Sequence, residues 1–458
     1  MKKNNVVISA PYNMCLRNLI SSSFKFNKKK YNYILFSSIK KKDTPFKKNN
    51  QNFFKKYNYS STSKIFRAVY FFLTSLLTNF TCRKKKWKTM EIIRKEIESN
   101  RQLDKIIEHD YKFCFGKICS IITSNNFIFQ ICKIILYFFL FFFSLRYLII
   151  FFFLRPKCVF FLHLHASQDK GLLCAAKILN IQTHSLVHSW DNPSTKLIHP
   201  LNTSKVYVWN NFLKNEMSYL NKINKQDIHV FGIPQFDVYG KKLSAQSKIK
   251  KKIRILIFLP NPGLVNYDIQ KYTLNEIENF FRNKKNFEIT IRSHPGIIPN
   301  WLKQYEIRNK NFKINHPNKL FIAGTNEHKL KNVDFKKFEL AKLINNSEIT
   351  ANFFSTTSLD AIYLDKPVIS LCFDYKKHNR IKWYYHWSHQ KNLMRFNATS
   401  ICENIVEFKK ELLKYLKHPN YKKYQRAKVK KEFCVFSDGN CGDRLSVLFH
   451  KNIIQIKK

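Results

Sequence analysis

Phe287-Glu288-Ile289-Thr290-Ile291-Arg292-Ser293-His294-Pro295-Gly296 alternates apolar and polar residues as a strand does, then breaks into a Pro-Gly turn that carries Arg292 and His294. Further along, Glu348-Ile349-Thr350-Ala351-Asn352-Phe353 reads as a second strand. Ser355-Thr356-Thr357-Ser358 follows it and opens a helix through Leu359, Asp360, Ala361 and Ile362. Both motifs stand where a strand gives way to a turn, the end at which α/β folds place ligands. Together they read as two sides of one phosphate site. Arg292 offers a bidentate contact, and His294 offers an N–H or, when protonated, a proton for a leaving phosphate. The hydroxyls and backbone N–H groups of a helix start favour an anion. A helix cap needs one hydroxyl, and this stretch supplies four.

Working outward, the same alternation of elements recurs on both sides. Strands are expected at 255–259, before the turn Pro260-Asn261-Pro262-Gly263, and at 367–373, with helices at 274–281, 335–344 and 359–363. In the first half, strands are expected at 5–11, 33–37, 158–163, 181–187, 205–209 and 228–231, with helices at 169–179 and 212–220. Such alternation builds parallel sheets with helices on both faces. The expected fold class is α/β, with two Rossmann-like domains facing a central cleft. The boundaries read as 1–240 for the first domain, with 39–155 as a helical, strongly apolar insertion; 241–252, polar and without apolar period, as linker; and 253–458 for the second. Residues 40–64 read as loop, and 87–105 as part of a helical pattern.

The balance of 81 Lys and Arg against 30 Asp and Glu gives a net charge of +51, which raises nucleic acid or an anionic membrane surface as a partner. The basic residues form short scattered runs, and Lys, Asn, Ile, Phe and Tyr are abundant while Gly numbers only 9. This bias favours a solvated basic surface over a nucleic-acid groove. The 11 cysteines show no C-x-x-C pair, and no leader of charged start, apolar core and small-residue cleavage site is read. A reduced, cytoplasmic setting is expected.

Residues 127–154 are mostly Phe, Leu, Ile and Tyr, a run as long as a membrane-spanning helix. Gln130, Lys133 and Arg146 interrupt it. A crossing would also put the strands at 5–11 and 33–37 on the side opposite to everything after Pro156, dividing one domain. A buried or membrane-surface helix is therefore expected. With Arg83-Lys84-Lys85-Lys86-Trp87-Lys88, it suggests peripheral attachment to an anionic bilayer at the cytoplasmic membrane.

Val187-His188-Ser189-Trp190-Asp191-Asn192-Pro193-Ser194-Thr195-Lys196 gathers polar groups directly after a buried-type strand. His188 or Asp191 is a candidate base for a hydroxyl acceptor, and Lys196 a candidate phosphate contact. Asp169, opening a helix after His163-Leu164-His165, is a second candidate base. No third ligand accompanies His163 and His165, so no metal site is assigned. The turn from Gly232 to Asp237 and the stretch Asp438-Gly439 with Arg444 are further candidates for a cleft lining.

These features resemble the GT-B-fold transferases of bacterial surface-polymer synthesis, a grouping that includes CDP-glycerol glycerophosphotransferases and capsule sialyl- and polysialyltransferases. The matching residues are His294-Pro295 and Ser355 to Ser358. The stretches Ser189-Trp190-Asp191-Asn192, Val208-Trp209-Asn210, Gly232 to Asp237 and Asp438-Gly439 with Arg444 resemble a related glycosyltransferase-like group. The resemblance implies a GT-B-like fold, with donor phosphate held by His294-Pro295 and by Ser355, Thr356, Thr357 and Ser358; the turn's own chemistry adds Arg292 and Gly296 to that expected phosphate site. It implies an acidic base in the first domain, for which Asp169 and Asp191 are both candidates; Trp190, Asn192, Lys196, Asp438 and Arg444 are the expected cleft residues. It implies protein groups on the phosphate, and hence no metal and no cofactor beyond the nucleotide-activated substrate.

The expected activity is transfer of a glycosyl group from a nucleotide-activated donor to a surface-glycan or lipid-linked acceptor. A CDP-glycerol-type glycerophosphotransferase and a sugar-nucleotide epimerase are the enzymatic alternatives. A basic RNA- or membrane-surface-binding protein is the non-enzymatic one.

Overall fold

Runs such as Val6-Val7-Ile8 and Cys158-Val159-Phe160-Phe161 are apolar at every residue, and successive residues of a strand point to opposite faces. Strands of this kind need cover on both sides, which parallel sheets provide. The computed structural model of the chain describes residues 3–38, 54–59, 64–91, 125–196, 198, 201–240, 252–262, 265–294, 299–317, 333–373, 384 and 386–454. It contains two α/β units, residues 1–234 with 440–458, and residues 235–439.

The first unit holds a seven-stranded, wholly parallel sheet of order β3-β2-β1-β4-β5-β6-β7. Its strands are β1 (Asn4–Ala10), β2 (Tyr31–Ser37), β3 (Phe54–Tyr57), β4 (Cys158–Phe161), β5 (Gln182–Leu186), β6 (Lys205–Val208) and β7 (Ile228–Val230). Between them lie α1 (Asn13–Ile20), α2 (Lys64–Lys85), α3 (Asn126–Leu154), α4 (Lys170–Ile178), the single turn α5 (Asn192–Thr195) and α6 (Asn211–Asn221). The strand β3 falls within a stretch read from sequence as loop. Its four residues add an edge to β2, in register from Tyr33 with Phe54 to Phe36 with Tyr57. A four-residue Phe-Lys-Lys-Tyr run is too short to show a period, and only the neighbouring strand makes it a strand.

The helix α3 spans 29 residues. The Asn125 side chain caps it by accepting from the Phe127 N–H, and Arg155 in a left-handed conformation ends it before Pro156. One stripe, Leu136, Leu140, Ser144, Tyr147 and Phe151, is fully buried at helical spacing against the sheet, α2 and α4. The opposite stripe, including Ile134, Phe138, Phe142, Ile149 and Phe153, is exposed. Because β1 pairs with β4, from Val6 with Cys158 to Ser9 with Phe161, the chain before and after α3 shares one sheet. A lone crossing by α3 would tear that pairing apart.

The close seat of α4 on α3 depends on Gly171, where an added Cβ would lie 2.5 Å from Phe143 Cδ1 and 2.9 Å from the Phe143 carbonyl oxygen. Backbone cannot move aside as a flexible side chain can. Gly171→Ala is expected to cost about 1–3 kcal/mol by overpacking, visible as a lowered midpoint in urea or thermal unfolding. An unchanged midpoint would mean that α3 does not pack on α4 in this way.

The second unit repeats the plan with a six-stranded parallel sheet of order β10-β9-β8-β11-β12-β13. Its elements are β8 (Ile253–Phe258), α7 (Tyr267–Phe281), β9 (Phe287–Arg292), α8 (Lys303–Arg308), β10 (Phe312–Asn315), α9 (Val333–Asn345), β11 (Ile349–Asn352), α10 (Thr357–Tyr363), β12 (Val368–Leu371), α11 (Ser388–Met394), β13 (Ser400–Cys402), α12 (Ile405–Lys417) and α13 (Lys423–Val429). Its core gathers Ile255, Ile257, Ile289, Ile291, Ala351 and Ile369 from the strands with Leu274, Ile277, Phe281, Phe408 and Leu412 from the helices.

The last helix, α14 (Cys441–Ile454), corrects the domain boundary read from sequence. It belongs with the first unit, not with 253–458. Phe449 stacks on Phe160 at 4.4 Å between ring centroids, and the Asn452 carbonyl oxygen accepts from Gln182 Nε2 at 2.7 Å. Gly442 packs so closely that a Cβ there would lie 2.4 Å from the Phe24 nitrogen. The alternation of β4 explains the choice. Val159 and Phe161 face α3, so Phe160 needs cover on the other side, and α14 supplies it. The linker read at 241–252 lies outside the described residues, apart from Lys252.

Candidate functional site

In each sheet the strand order reverses once, between β1 and β4 in the first unit and between β8 and β11 in the second. At such a reversal the turns leaving neighbouring strands diverge and open a crevice at the carboxyl ends. In the second unit Arg292, Phe258 and Asn352 lie in register across β9, β8 and β11. The turns after them emerge along one edge, which brings the two motifs of the sequence reading to one end of one sheet.

Asn352 organises the second of these turns. Its Oδ1 accepts from the Ser355 N–H at 3.0 Å, and its Nδ2 lies 3.0 Å from Ser358 Oγ. Ser355 Oγ in turn accepts from the Thr357 N–H at 3.3 Å. Ser358 is thus a buried structural hydroxyl and Ser355 a turn-closing one. Thr357 differs, because its Oγ1 is buried with no hydrogen-bond partner among the described residues. Phe354 stands in a left-handed conformation, φ 52°, with its carbonyl accepting from Gln390 Nε2 at 3.0 Å. A phenylalanine at that backbone angle is uncommon and is held there by its surroundings.

Arg292 donates to Asn315 Oδ1 on the neighbouring strand β10. Burial lowers its pKa, against the fields of Glu339, Tyr239 and Asp360. The Tyr239 hydroxyl donates to Asp360 Oδ1, which fixes that carboxylate. Burial also holds the His294 imidazole below its ordinary range, so the ring is neutral at pH 7 and donates through one N–H. Tyr239, Asp360, Asn315 and Asn352 were missed from sequence. Of these, only Asn352, at the last residue of a strand before the hydroxyl-rich turn, carried a visible signal. Pro295 and Gly296 lie outside the described residues.

In the first unit Ser9, Phe161 and Ser185 are level across β1, β4 and β5. The turns beyond them carry Tyr12, then His163, His165 and Asp169, then His188. Asp169 is fully buried, and its Oδ2 accepts from Ser9 Oγ at 2.8 Å. Ser9 Oγ is also 2.8 Å from the Tyr59 hydroxyl. Asp169 Oδ1 has no hydrogen-bond partner among the described residues. Burial pushes the Asp169 carboxyl up to about 6, although the Lys170 ammonium and the Ser9 hydrogen bond pull the other way. Burial likewise brings Lys170 down to about 8, opposed by Asp169. The Lys170 ammonium donates to the Leu164 carbonyl at 2.5 Å.

His163 stacks on His188 at 5.4 Å between ring centroids and meets Tyr12 edge-on at 5.5 Å. Burial, then the neighbouring His188, His165, Lys196 and Lys170, hold its imidazole well below the ordinary range. Tyr12 donates to Gln168 Oε1 at 3.1 Å. The structure therefore joins His163, His165, Asp169 and His188 at one point of reversal, and adds Ser9, Tyr12, Tyr59 and Lys170, which sequence reasoning did not single out. Ser9 and Tyr12 flank the Ala10-Pro11 turn at the end of β1, a position that strand order alone reveals as the crevice. Among the described residues, no three His, Cys, Asp or Glu side chains converge as a metal site.

Asp191 behaves differently from Asp169. Its Oδ1 accepts from Ser189 Oγ and its Oδ2 from Thr195 Oγ1 at 3.0 Å, so the carboxylate closes its own turn. Asn192 Oδ1 accepts from the Ser189 N–H at 3.0 Å, and Trp190 is buried at 3% exposure. Lys196 is half-buried near His163. Asp438 and Arg444, paired in the sequence reading, fall in different units.

A family model described as CDP-Glycerol:Poly(glycerophosphate) glycerophosphotransferase matches residues 180–451, more than half of the chain. Among solved structures, a glycosyltransferase from Rickettsia africae ESF-5 is similar at 11% identity and a TM-score of 0.52, with 100% of each chain covered. A putative UDP-N-acetylglucosamine 2-epimerase from Listeria monocytogenes is similar at 10% identity and a TM-score of 0.53, over 100% of this chain and 98% of that one. The UDP-GlcNAc 2-epimerase of Neisseria meningitidis bound to UDP-GlcNAc is similar at 13% identity and a TM-score of 0.51, over 98% of this chain and 100% of that one. These likenesses show a shared fold, α/β with two Rossmann-like units. No curated protein matches the sequence.

Proposed function

Because the chain belongs to the CDP-glycerol:poly(glycerophosphate) glycerophosphotransferase family, we propose that it transfers a polyol phosphate from a cytidine-diphosphate-activated donor to a hydroxyl of a surface-glycan or lipid-linked acceptor. The family match carries this reading. It takes in the turns of Arg292, His294 and Ser355 to Ser358, whereas Asp169 lies before its first residue, 180.

In this reading the acceptor oxygen attacks the donor's polyol-bearing phosphorus. A new oxygen–phosphorus bond forms, the bond to the nucleoside monophosphate breaks, and the acceptor's proton passes to a carboxylate. Arg292, the His294 N–H and the Thr357 hydroxyl meet the phosphate charge, with the N–H groups of the Ser355–Thr357 turn beside them. In the first unit Asp169 is the candidate base: its Oδ1 has no hydrogen-bond partner among the described residues, and its raised pKa suits proton transfer near neutrality. Protein groups offset the charge of the phosphate, so the reading requires no metal. The donor is a substrate, and the chemistry belongs on the cytoplasmic side, where nucleotide-activated donors are made.

A thermal-shift panel of CDP, CMP, UDP and GDP tests the donor. At about one hundred times Kd, a nucleotide adds roughly 2.7 kcal/mol, which raises the unfolding midpoint by several degrees. A shift with CDP or CMP is expected. A shift with UDP or GDP alone would replace the polyol phosphate with a glycosyl group.

A further inference from the structure

The edge strand β3 lies away from the reversal of the first sheet, yet the chain that leaves it returns there. Its register on β2, from Tyr33 with Phe54 to Phe36 with Tyr57, sets Tyr57 on Phe36 at 5.1 Å between ring centroids. Two residues later the Tyr59 hydroxyl meets Ser9 Oγ at 2.8 Å. Side chains from three separate places, Tyr59 after β3, Ser9 on β1 and Asp169 before α4, thus form one file of hydrogen bonds that ends on a carboxylate.

The file runs one way. Ser9 has a single hydroxyl proton and donates it to Asp169 Oδ2 at 2.8 Å, so towards Tyr59 it can only accept. Tyr59 is then the donor. Burial, and after it the Asp169 charge, raise the Tyr59 pKa well above the ordinary range against the pull of the Ser9 hydrogen bond, so the phenol keeps its proton near neutrality. A hydroxyl that accepts one hydrogen bond is the stronger donor of the next. Asp169 is accordingly held by Oδ2, while its Oδ1 has no hydrogen-bond partner among the described residues.

The groups that face Asp169 from the other elements do not replace this hold. Tyr12 and Cys15 at the start of α1 and Tyr70 on α2 lie within reach of its charge, and burial raises the pKa of all three, so they stay uncharged near neutrality. Tyr147 on α3 faces Tyr59. On the crevice side His163, beside His165, His188 and Lys196, faces Lys170 and is kept neutral by burial. Lys170 itself is engaged by the Leu164 carbonyl and offers Asp169 its charge.

We propose that Ser9 and Tyr59 are positioning residues of the transfer reaction, holding Asp169 by Oδ2 so that Oδ1 is the atom that takes the acceptor's proton. The proposal rests on the reading of Asp169 as the base. As the new oxygen–phosphorus bond forms, the acceptor's O–H bond breaks, its proton passes to Oδ1, and the Ser9 hydrogen bond stays on Oδ2. Ser9 and Tyr59 touch none of the reacting atoms. Their hydrogen bonds favour the ionised carboxyl, against the burial that disfavours it.

The pH dependence separates positioning from packing. Ser9→Ala removes the hydrogen bond at little change of shape, and should carry the acid limb of kcat/KM upward from about 6 by about one to two pH units, the usual strength of a hydrogen bond to a charged group. Tyr59→Phe leaves the Ser9 hydroxyl in place and should move the limb the same way by less. Ser185→Ala is the comparison, because it deletes a buried hydroxyl on β5 that lies 2.6 Å from Thr203 Oγ1, and it should lower the unfolding midpoint with the limb unmoved. Infrared difference spectra of the full chain against Asp169→Asn follow the protonated carboxyl without donor or acceptor, and that titration should move with the limb. A carboxyl titration unmoved in both Ser9→Ala and Tyr59→Phe overturns the proposal and leaves Asp169 standing as the base. A carboxyl that moves while the limb stays in place removes Asp169 as the base, and the positioning role with it.

Discussion

Replacing His294 by alanine is expected to lower turnover by about two to three orders of magnitude, the usual loss when one preorganised donor to a developing oxyanion is removed. The fold should be unchanged. His294 is half-buried in the turn that leaves β9, outside the core formed by Ile289 and Ile291. The neutral state of its ring sharpens the expectation, because an imidazole held below its ordinary range by burial donates an N–H without first taking a proton. Its contribution to binding the phosphate should therefore vary little from pH 7 upward. Acceptor-dependent nucleotide release by His294→Ala, at an unfolding midpoint equal to that of the unaltered chain, checks this. Near-normal turnover in that variant would remove His294 from the site.

Asp169→Asn is the second large effect, expected to lower turnover by about two to four orders of magnitude because general-base help is lost. An asparagine keeps the shape and the hydrogen bond from Ser9 Oγ, so the loss reports chemistry and not collapse. The pH profile carries a signature of its own. A carboxyl pushed up to about 6 acts as a base only once ionised, so kcat/KM should be full above about 6 and fall about tenfold per unit below it. Asp191→Asn is the comparison. Its carboxylate accepts from Ser189 Oγ and Thr195 Oγ1 within its own turn, and its replacement should leave that acid limb in place. An acid limb that persists in Asp169→Asn and vanishes in Asp191→Asn would reverse the assignment.

Sequence showed some of this because the strands that matter carry their own pattern. Phe287 to Arg292 alternates buried and half-buried residues and forms a strand as read, and the Ser355 to Ser358 hydroxyls open a helix as read. What the sequence does not carry is which strand lies beside which. The pairing of β1 with β4 makes Asp169 and Ser9 neighbours across 160 positions, and no local feature of either announces it. Asp169 at a helix start and Asp191 at a turn looked alike, and only their partners separate them. The β3 edge and the return of α14 to the first sheet were hidden for the same reason. Phe54 to Tyr57 is a strand only beside β2, and Phe449 is a core residue only beneath Phe160. The α3 helix was legible in composition, but its two faces were not. An unbroken run of Phe, Leu and Ile shows no stripe until Leu136, Leu140 and Tyr147 meet the packed side and Phe138 and Phe142 do not.

The proposed transfer of a phosphate-linked group from an activated nucleotide to an acceptor hydroxyl has a direct readout. Incubation of the full chain with CDP-glycerol, with and without a polyol-phosphate-primed lipid acceptor, measures it through the nucleotide released. Release of CMP that depends on the acceptor and tracks new acceptor phosphodiester is the predicted result. Equal release without acceptor, or none from any activated nucleotide despite a folded chain, would contradict it.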